Sequence, residues 1–336
     1  MPNIHTPVLV KEVLEYLNPA LVGKSGVNIR PGAKIIDATI SGGGHTRAIL
    51  ERSDDVRVLG IEFDPDIFKN LKIGDKRLTV VNDSYTNIRK IVKEHDFRPD
   101  GILFDLGLSS WHYEESGRGF SFKRNEILDM RFNPGSQRAE QSSYDGNPQA
   151  QTESAADVVN KYSEDDLREL ISSLGEEQFA GSIAKNIIRA RKEKPVIMTD
   201  DLVKVIGEAV PEWYKQQSSL RRRRPSGGRQ GIPLRSKKIH FATKTFQALR
   251  IAVNHELENV EKGMRAAIEA LNPGGRLVVI SFQGLEDKIV KNIFKEKAKE
   301  GIIKFVVKGT IRPSWEETKS NPRSRSAKMK IVEKII

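Results

Sequence analysis

Short apolar runs and amphipathic segments alternate between residues 31 and 110. Ile35 and Ile36 follow a Pro31-Gly32 turn and predict a buried strand, and His45 to Leu50 predicts the helix after it. Val56 to Glu62, Leu78 to Val81 and Ile102 to Leu106 predict three more strands. Asp64-Pro65 supplies a helix start, with an N-cap aspartate before a proline at the first helical position. Repeated βα units of this kind predict an α/β fold, a mostly parallel sheet with helices on its faces. The pattern changes after Ser110. Residues 113–150 are rich in Gly, Ser, Asn and Gln and carry little periodicity, and helical spacing then takes over to about Glu212. Ser163 to Asp166 resembles a capping box, with Leu167, Leu170, Ile171 and Leu174 behind it. Thr199 predicts the cap of a further helix with Leu202, Val203 and Ile206 on one face. From Thr243 the alternation resumes with a long helix to about Leu271. "NPGGRLVVISF" predicts a turn and a buried strand, a helix opens near Leu285, and Ile302–Val307 and Lys328–Val332 predict the last two strands. One α/β domain, residues 1–112 and 241–336, is therefore expected to be interrupted by a helical insertion over 113–215 and a basic segment over 216–240.

Composition narrows what such a fold does. The chain has 336 residues, 38% of them hydrophobic, and no apolar run near the roughly 18 residues of a membrane span. Lys11 and Glu12 stand where an export signal would place its apolar stretch, so a cytoplasmic protein is expected, with no membrane partner. There is no cysteine, which fits a reducing compartment and removes disulfides and thiolate metal sites. The six histidines (5, 45, 95, 112, 240, 255) show no ligand-like spacing, and no metal site is expected. A net charge of +11 makes a polyanion such as nucleic acid a plausible partner, although a merely soluble basic protein fits the charge equally well.

The most specific stretch is "KIIDATISGGGHTRAIL", residues 34–50, where a strand runs into Gly42, Gly43 and Gly44 and then a helix. The dinucleotide pattern G-x-G-x-x-G fails because, counted from Gly42, its third glycine position is Arg47. Asp37 at the strand end would repel a pyrophosphate but suits a cation, and Glu62 at the end of the second strand can accept both hydroxyls of a ribose. Together they favour S-adenosylmethionine over NAD. Taken singly, a helix cap for Asp37 and a solvated strand end for Glu62 are equally good readings. Methylation at a pyrimidine carbon usually requires a cysteine that adds to the ring, and this chain has none. An amine or hydroxyl acceptor remains.

These motifs, with "HTPVLVKEVLEYL", "DGILFDLGLSS", "GRGFSF", "LDMRF", "ATKTFQALRIAVNHELE", "GGRLVVISFQGLED" and "NPRSRSAKMK", resemble the bacterial RsmH (MraW) family along nearly the whole chain. The resemblance implies a class I, Rossmann-like methyltransferase domain with a helical substrate-recognition domain inserted after the fourth strand. It also implies methylation of N4 of a cytidine in the decoding region of 16S rRNA, within the small subunit or its precursor. A homodimer is compatible with it. Carried over, the family's cofactor contacts fall on Gly43, Gly44, His45, Glu62, Tyr85, Asp105 and His112, to which the residue-level reading adds Asp37. Asp105 is the expected catalytic residue. The chain departs from the family pattern at Ser41, Glu62, Tyr85 and His112, and at Gln283-Gly284, where the family has histidine and serine.

Several further side chains could meet RNA. Ser109 and Ser110 could bond the base or cap a turn. Trp111, Tyr113, Phe120 and Phe122 could stack a base or pack a domain interface. Arg118, Arg131, Lys244 and Arg250 could hold phosphates or lie solvated on the surface, and Arg323, Arg325 and Lys328 are candidates for RNA contact near the last strand.

Overall fold

The computed structural model describes residues 7–17, 32–135, 153–217 and 239–336. The run "RRRRPSGGRQGIPLRSKK" (221–238), most of the expected basic segment, lies outside the described residues, as do Pro31 and residues 136–152. The chain forms two compact units, residues 1–111 with 256–336, and residues 112–255.

The first unit is built on seven strands: β1 (Lys34–Asp37), β2 (Arg57–Glu62), β3 (Leu78–Asn82), β4 (Gly101–Asp105), β5 (Arg276–Ser281), β6 (Ile303–Phe305) and β7 (Lys328–Lys334). Their order is β3-β2-β1-β4-β5-β7-β6. The first five are parallel, and β7 runs antiparallel to both β5 and β6. The apolar runs follow from a sheet covered on both faces. Ile36, Ile102, Phe104, Leu277 and Val279 enter one core cluster, and Ile35, Leu103, Val278 and Ile280 enter the other. β3 is the edge strand of the parallel part and is correspondingly half exposed. The strand order reverses between β1 and β4, the place where an open α/β sheet leaves a crevice at its carboxyl edge. Asp37, Glu62 and Asp105 each end a strand on that edge.

Local chemistry explains the helix starts. Asp64 accepts from the N–H groups of Asp66 (2.9 Å) and Ile67 (3.4 Å), with Pro65 at the first position of Pro65–Asn70. The long helix expected from Thr243 is two helices, Thr243–Asn254 and Glu256–Ala270, because His255 takes a left-handed conformation at φ 48°. The first belongs to the second unit and the second to the first, so the chain returns to the sheet at residue 256 rather than 241.

The second unit is helical over Ala155–Lys161, Glu164–Gly175, Ala180–Glu193, Thr199–Ala209, Glu212–Gln217 and Thr243–Asn254. The Ser163 hydroxyl accepts from the Asp166 N–H at 3.1 Å, and the Asp166 carboxylate returns the bond, so the predicted box forms with aspartate in place of glutamate. Gly175 permits close helix packing, since a Cβ there would lie 2.6 Å from the Lys244 carbonyl oxygen. Two expectations are corrected. Thr199 is the first residue of its helix and not the cap: its hydroxyl donates to the Arg124 carbonyl and accepts from the Glu126 N–H, tying the helix to an upstream loop. The buried stripe of that helix contains Val205 instead of Val203. Among the described residues no helix is long and apolar enough to cross a membrane.

Candidate functional site

The carboxyl edge of the first unit gathers three acidic side chains and one imidazole. Asp37 is 1% exposed. It accepts from the Thr46 hydroxyl at 2.7 Å and the Thr39 N–H at 3.4 Å. Burial pushes its carboxyl above the usual carboxylate range, against the pull of His45 and these two donors. Glu62 accepts from the Ser41 N–H (3.0 Å) and the Asp64 N–H (2.8 Å). Its carboxyl is pushed up to about 8, chiefly by burial. Asp105 is pushed up to about 6, again chiefly by burial, with His45 pulling it down and Asp37 pushing it further up. One oxygen of Asp105, Oδ2, faces His45 Nδ1 at 3.5 Å. The other, Oδ1, is buried and has no hydrogen-bond partner among the described residues. The cluster is thus short of positive charge and holds an unused acceptor. A cationic, hydrogen-bonding ligand would correct both.

The glycine loop is built sterically. Gly43 has φ 73°, which glycine adopts without strain, and its N–H closes a turn onto the Ile40 carbonyl at 2.7 Å. A Cβ on Gly43 would lie 2.3 Å from Ile73, and one on Gly44 would lie 2.9 Å from Pro7, so both glycines back onto protein. The N–H groups of the first turn of Gly44–Leu50 are what this loop offers a ligand. Arg47 spans the loop, donating to the carbonyls of Gly42 (2.7 Å) and Lys72 (3.0 Å). Its distance in sequence from Lys72 gave no signal of that brace. His45 turns its ring inward, 2.9 Å from the Val8 carbonyl oxygen. Tyr85 packs edge-on against Phe104 with ring centroids 5.4 Å apart, and burial, with Glu256 and Glu286, raises its phenol above the ordinary value.

The structure therefore brings together Asp37, Gly43, Gly44, His45, Glu62 and Asp105, with Tyr85 packed on β4. His112 belongs to the second unit, where its ring lies edge-on to Phe120 (5.0 Å) and Phe132 (5.1 Å).

Most of the candidate RNA contacts already have intramolecular work. In the second unit Arg118 is buried and donates to the carbonyls of Arg131 (3.1 Å) and Phe132 (2.9 Å). Arg131 chelates Asp129, and Lys244 donates to the Glu176 carbonyl at 2.6 Å. Phe120 stacks on Phe132, and Phe122 stacks on His240. In the first unit Arg323 donates to the Ser110 hydroxyl, and Lys328 and Lys330 both reach Asp287.

Comparison with known proteins decides the family. The model of the MraW methylase family matches residues 3–335. The chain belongs to that family. Relatives named ribosomal RNA small subunit methyltransferase H include one from Elusimicrobium minutum, 38% identical over 98% of each chain. Another, from Persephonella marina, is 37% identical over 98% of this chain and 99% of its own. A third, from Dictyoglomus thermophilum, is 39% identical over 99% and 97%. A solved rRNA methylase from Streptococcus thermophilus aligns over 97% of this chain and 94% of its own, at 9% identity and a TM-score of 0.38.

An MraW methylase takes its methyl group from S-adenosylmethionine, and the residues at the carboxyl edge fit that molecule. The acidic cluster, raised by burial and with no basic side chain but His45 against it among the described residues, complements its ammonium and sulfonium. The Gln283-Gly284 stretch starts the helix Gly284–Lys299 and is capped locally. The Gln283 side chain donates to Glu286 at 3.1 Å, and the Glu286 carboxylate accepts from the N–H groups of Phe282 (3.0 Å) and Gln283 (3.2 Å). A Cβ on Gly284 would meet nothing within 4 Å.

Proposed function

We propose that this chain methylates N4 of a cytidine in the decoding region of small-subunit (16S) rRNA, acting in the cytoplasm on the subunit or its precursor. The names of the full-length relatives support an rRNA substrate, and the sequence motifs support the cytidine amine. Asp37, Gly43, Gly44, His45, Glu62, Tyr85, Asp105 and His112 are assigned to the cofactor, and the unit of residues 112–255 to substrate recognition. The observation that carries the chemistry is Asp105 at the mouth of β4, with a buried oxygen that nothing in the first unit uses.

The reaction needs placement and a proton acceptor. The cytosine amine is a poor nucleophile because its lone pair is delocalised into the ring, so orientation contributes much of the rate. Bound S-adenosylmethionine supplies a methyl group on a sulfonium, whose carbon–sulfur bond breaks with its electron pair remaining on sulfur. Asp105 Oδ1 accepts the N–H of the amine and takes the proton that the nitrogen sheds on gaining carbon. Asp37 would hold the cofactor's ammonium, and Glu62 would accept from its ribose hydroxyls. The absence of cysteine disfavours carbon methylation through a covalent ring adduct. Incubation with labelled S-adenosylmethionine and unmodified small subunits, large subunits, DNA or protein tests the substrate class. Label confined to small-subunit RNA is expected; label in protein or DNA alone would refute the reading. A chain that binds no S-adenosylmethionine in calorimetry would be an RNA-binding factor instead.

A further inference from the structure

The Asp105 carboxyl is the outer end of a chain of contacts that runs back through the first unit. The Val8 carbonyl accepts a hydrogen bond and cannot donate one, so the His45 Nε2 beside it, at 2.9 Å, carries a proton. The opposite nitrogen, Nδ1, then faces Asp105 Oδ2 at 3.5 Å. That separation puts the second ring nitrogen in ion-pair range of the carboxyl. Burial pushes the Asp105 carboxyl up, the imidazole beside it pulls it down, and the neighbouring Asp37 pushes it up further.

The peptide that holds His45 is itself held under strain. Leu9 is fully buried at φ 57°, a left-handed conformation costly for a side chain of its size. Its N–H, on the same peptide plane as the Val8 carbonyl, donates to the Glu317 carboxylate at 2.7 Å, and its carbonyl accepts from Val13 at 2.8 Å. A carboxylate on the N–H side of a peptide polarises the carbonyl on the other side into a stronger acceptor. Glu317, the 8–9 peptide, His45 and Asp105 thus form one polarised series ending at the free Oδ1. A side chain needed only to fill space behind the glycine loop would not require both ring nitrogens to be engaged.

We infer that His45 is the positioning residue for Asp105, facing Oδ2 and leaving Oδ1 free, and that Glu317 anchors His45 through the strained Leu9 peptide. This assignment rests on the proposed role of Asp105 as proton acceptor. The groups that bear on the pair from the elements around it are Asp37 on β1 and Glu317 through Leu9.

Carboxyl ¹³C NMR titration of the ligand-free full chain tests it, with the Asp105 resonance assigned by its loss in Asp105→Asn. The expected midpoint is about 6 in the parent. In His45→Asn, which keeps a polar group but carries no charge, the midpoint should rise by about 1–3 pH units. Glu317→Gln, which leaves the cluster itself intact, should raise it by a smaller amount. The acid limb of the single-turnover rate should shift with the midpoint, and the His45→Asn rate should recover as pH rises. An unchanged midpoint in both folded variants overturns the inference, as does a rate loss that is the same at every pH. If the midpoints shift but Asp105→Asn turns over normally, the pair stands and the assigned role of Asp105 fails.

Discussion

Asp105 in the first unit and Asp157 in the second are the same residue type with opposite fates. Asp157 accepts from Ser154 within its capping box and pairs with Lys161 at 2.8 Å, and these partners pull its carboxyl down to about 2. Asp105 is half-buried with one buried oxygen unused, and is pushed up to about 6. A matched carboxylate stabilises the helix it belongs to. A mismatched one costs stability in the free protein and is retained where a ligand completes it. The same contrast separates the phosphate candidates, since Arg118, Arg131 and Lys244 are matched to backbone or carboxylate within the second unit.

The largest effect that could break this contrast is on turnover. Asp105→Asn keeps the shape of the side chain and removes its charge. Its single-turnover rate at saturating cofactor and RNA should fall by about 10²–10⁴-fold, the range of acid–base roles. A rate within twofold of the parent would make Asp105 another structural carboxylate. Next is Asp37→Ala, which removes a buried charged partner at a cost of about 1.5–3 kcal/mol. Calorimetric affinity for S-adenosylmethionine should weaken about tenfold or more. Unchanged affinity in a folded variant would mean that Asp37 serves only Thr39 and Thr46.

Stability against pH should have opposite slopes for the two kinds of carboxyl. Glu62 and Asp105 are raised to about 8 and about 6, so the folded state holds more protons there than the unfolded state. Their contribution is present below the ordinary carboxylate range and is lost as pH rises toward 8. Asp157, lowered to about 2, contributes above that range and loses its contribution as pH falls toward 2. Calorimetric Tm values of the ligand-free chain should drop by several degrees from pH 5 to pH 8, and Glu62→Gln should flatten that drop. The smallest effect belongs to a matched site. Ser154→Ala should cost about 0.5–2 kcal/mol in denaturant unfolding, as loss of an N-cap does, with cofactor affinity unchanged.

Much of this was legible before the structure. The doubly covered strands read as unbroken apolar runs, and the caps at Asp64 and Ser163 were explicit in their residue types. The acidic strand ends identified the carboxyl edge because a parallel sheet places every such residue at the same edge. What escaped was tertiary. The break at His255 depends on a left-handed backbone that histidine does not announce, and it moved the helix Thr243–Asn254 into the other unit. The inward turn of the His45 ring, and its tether through Leu9 to Glu317, join residues 308 positions apart. No periodicity encodes such a link.

The central claim is that a directly attacking amine, with Asp105 as its acceptor, is the target. Nucleoside mass spectrometry of small-subunit RNA after a single turnover with isotopically labelled S-adenosylmethionine tests this most directly. The account predicts label in N4-methylcytidine at one position of the decoding region, appearing about 10²–10⁴-fold more slowly with Asp105→Asn. Label in 5-methylcytidine, or on a base other than cytosine, would contradict it.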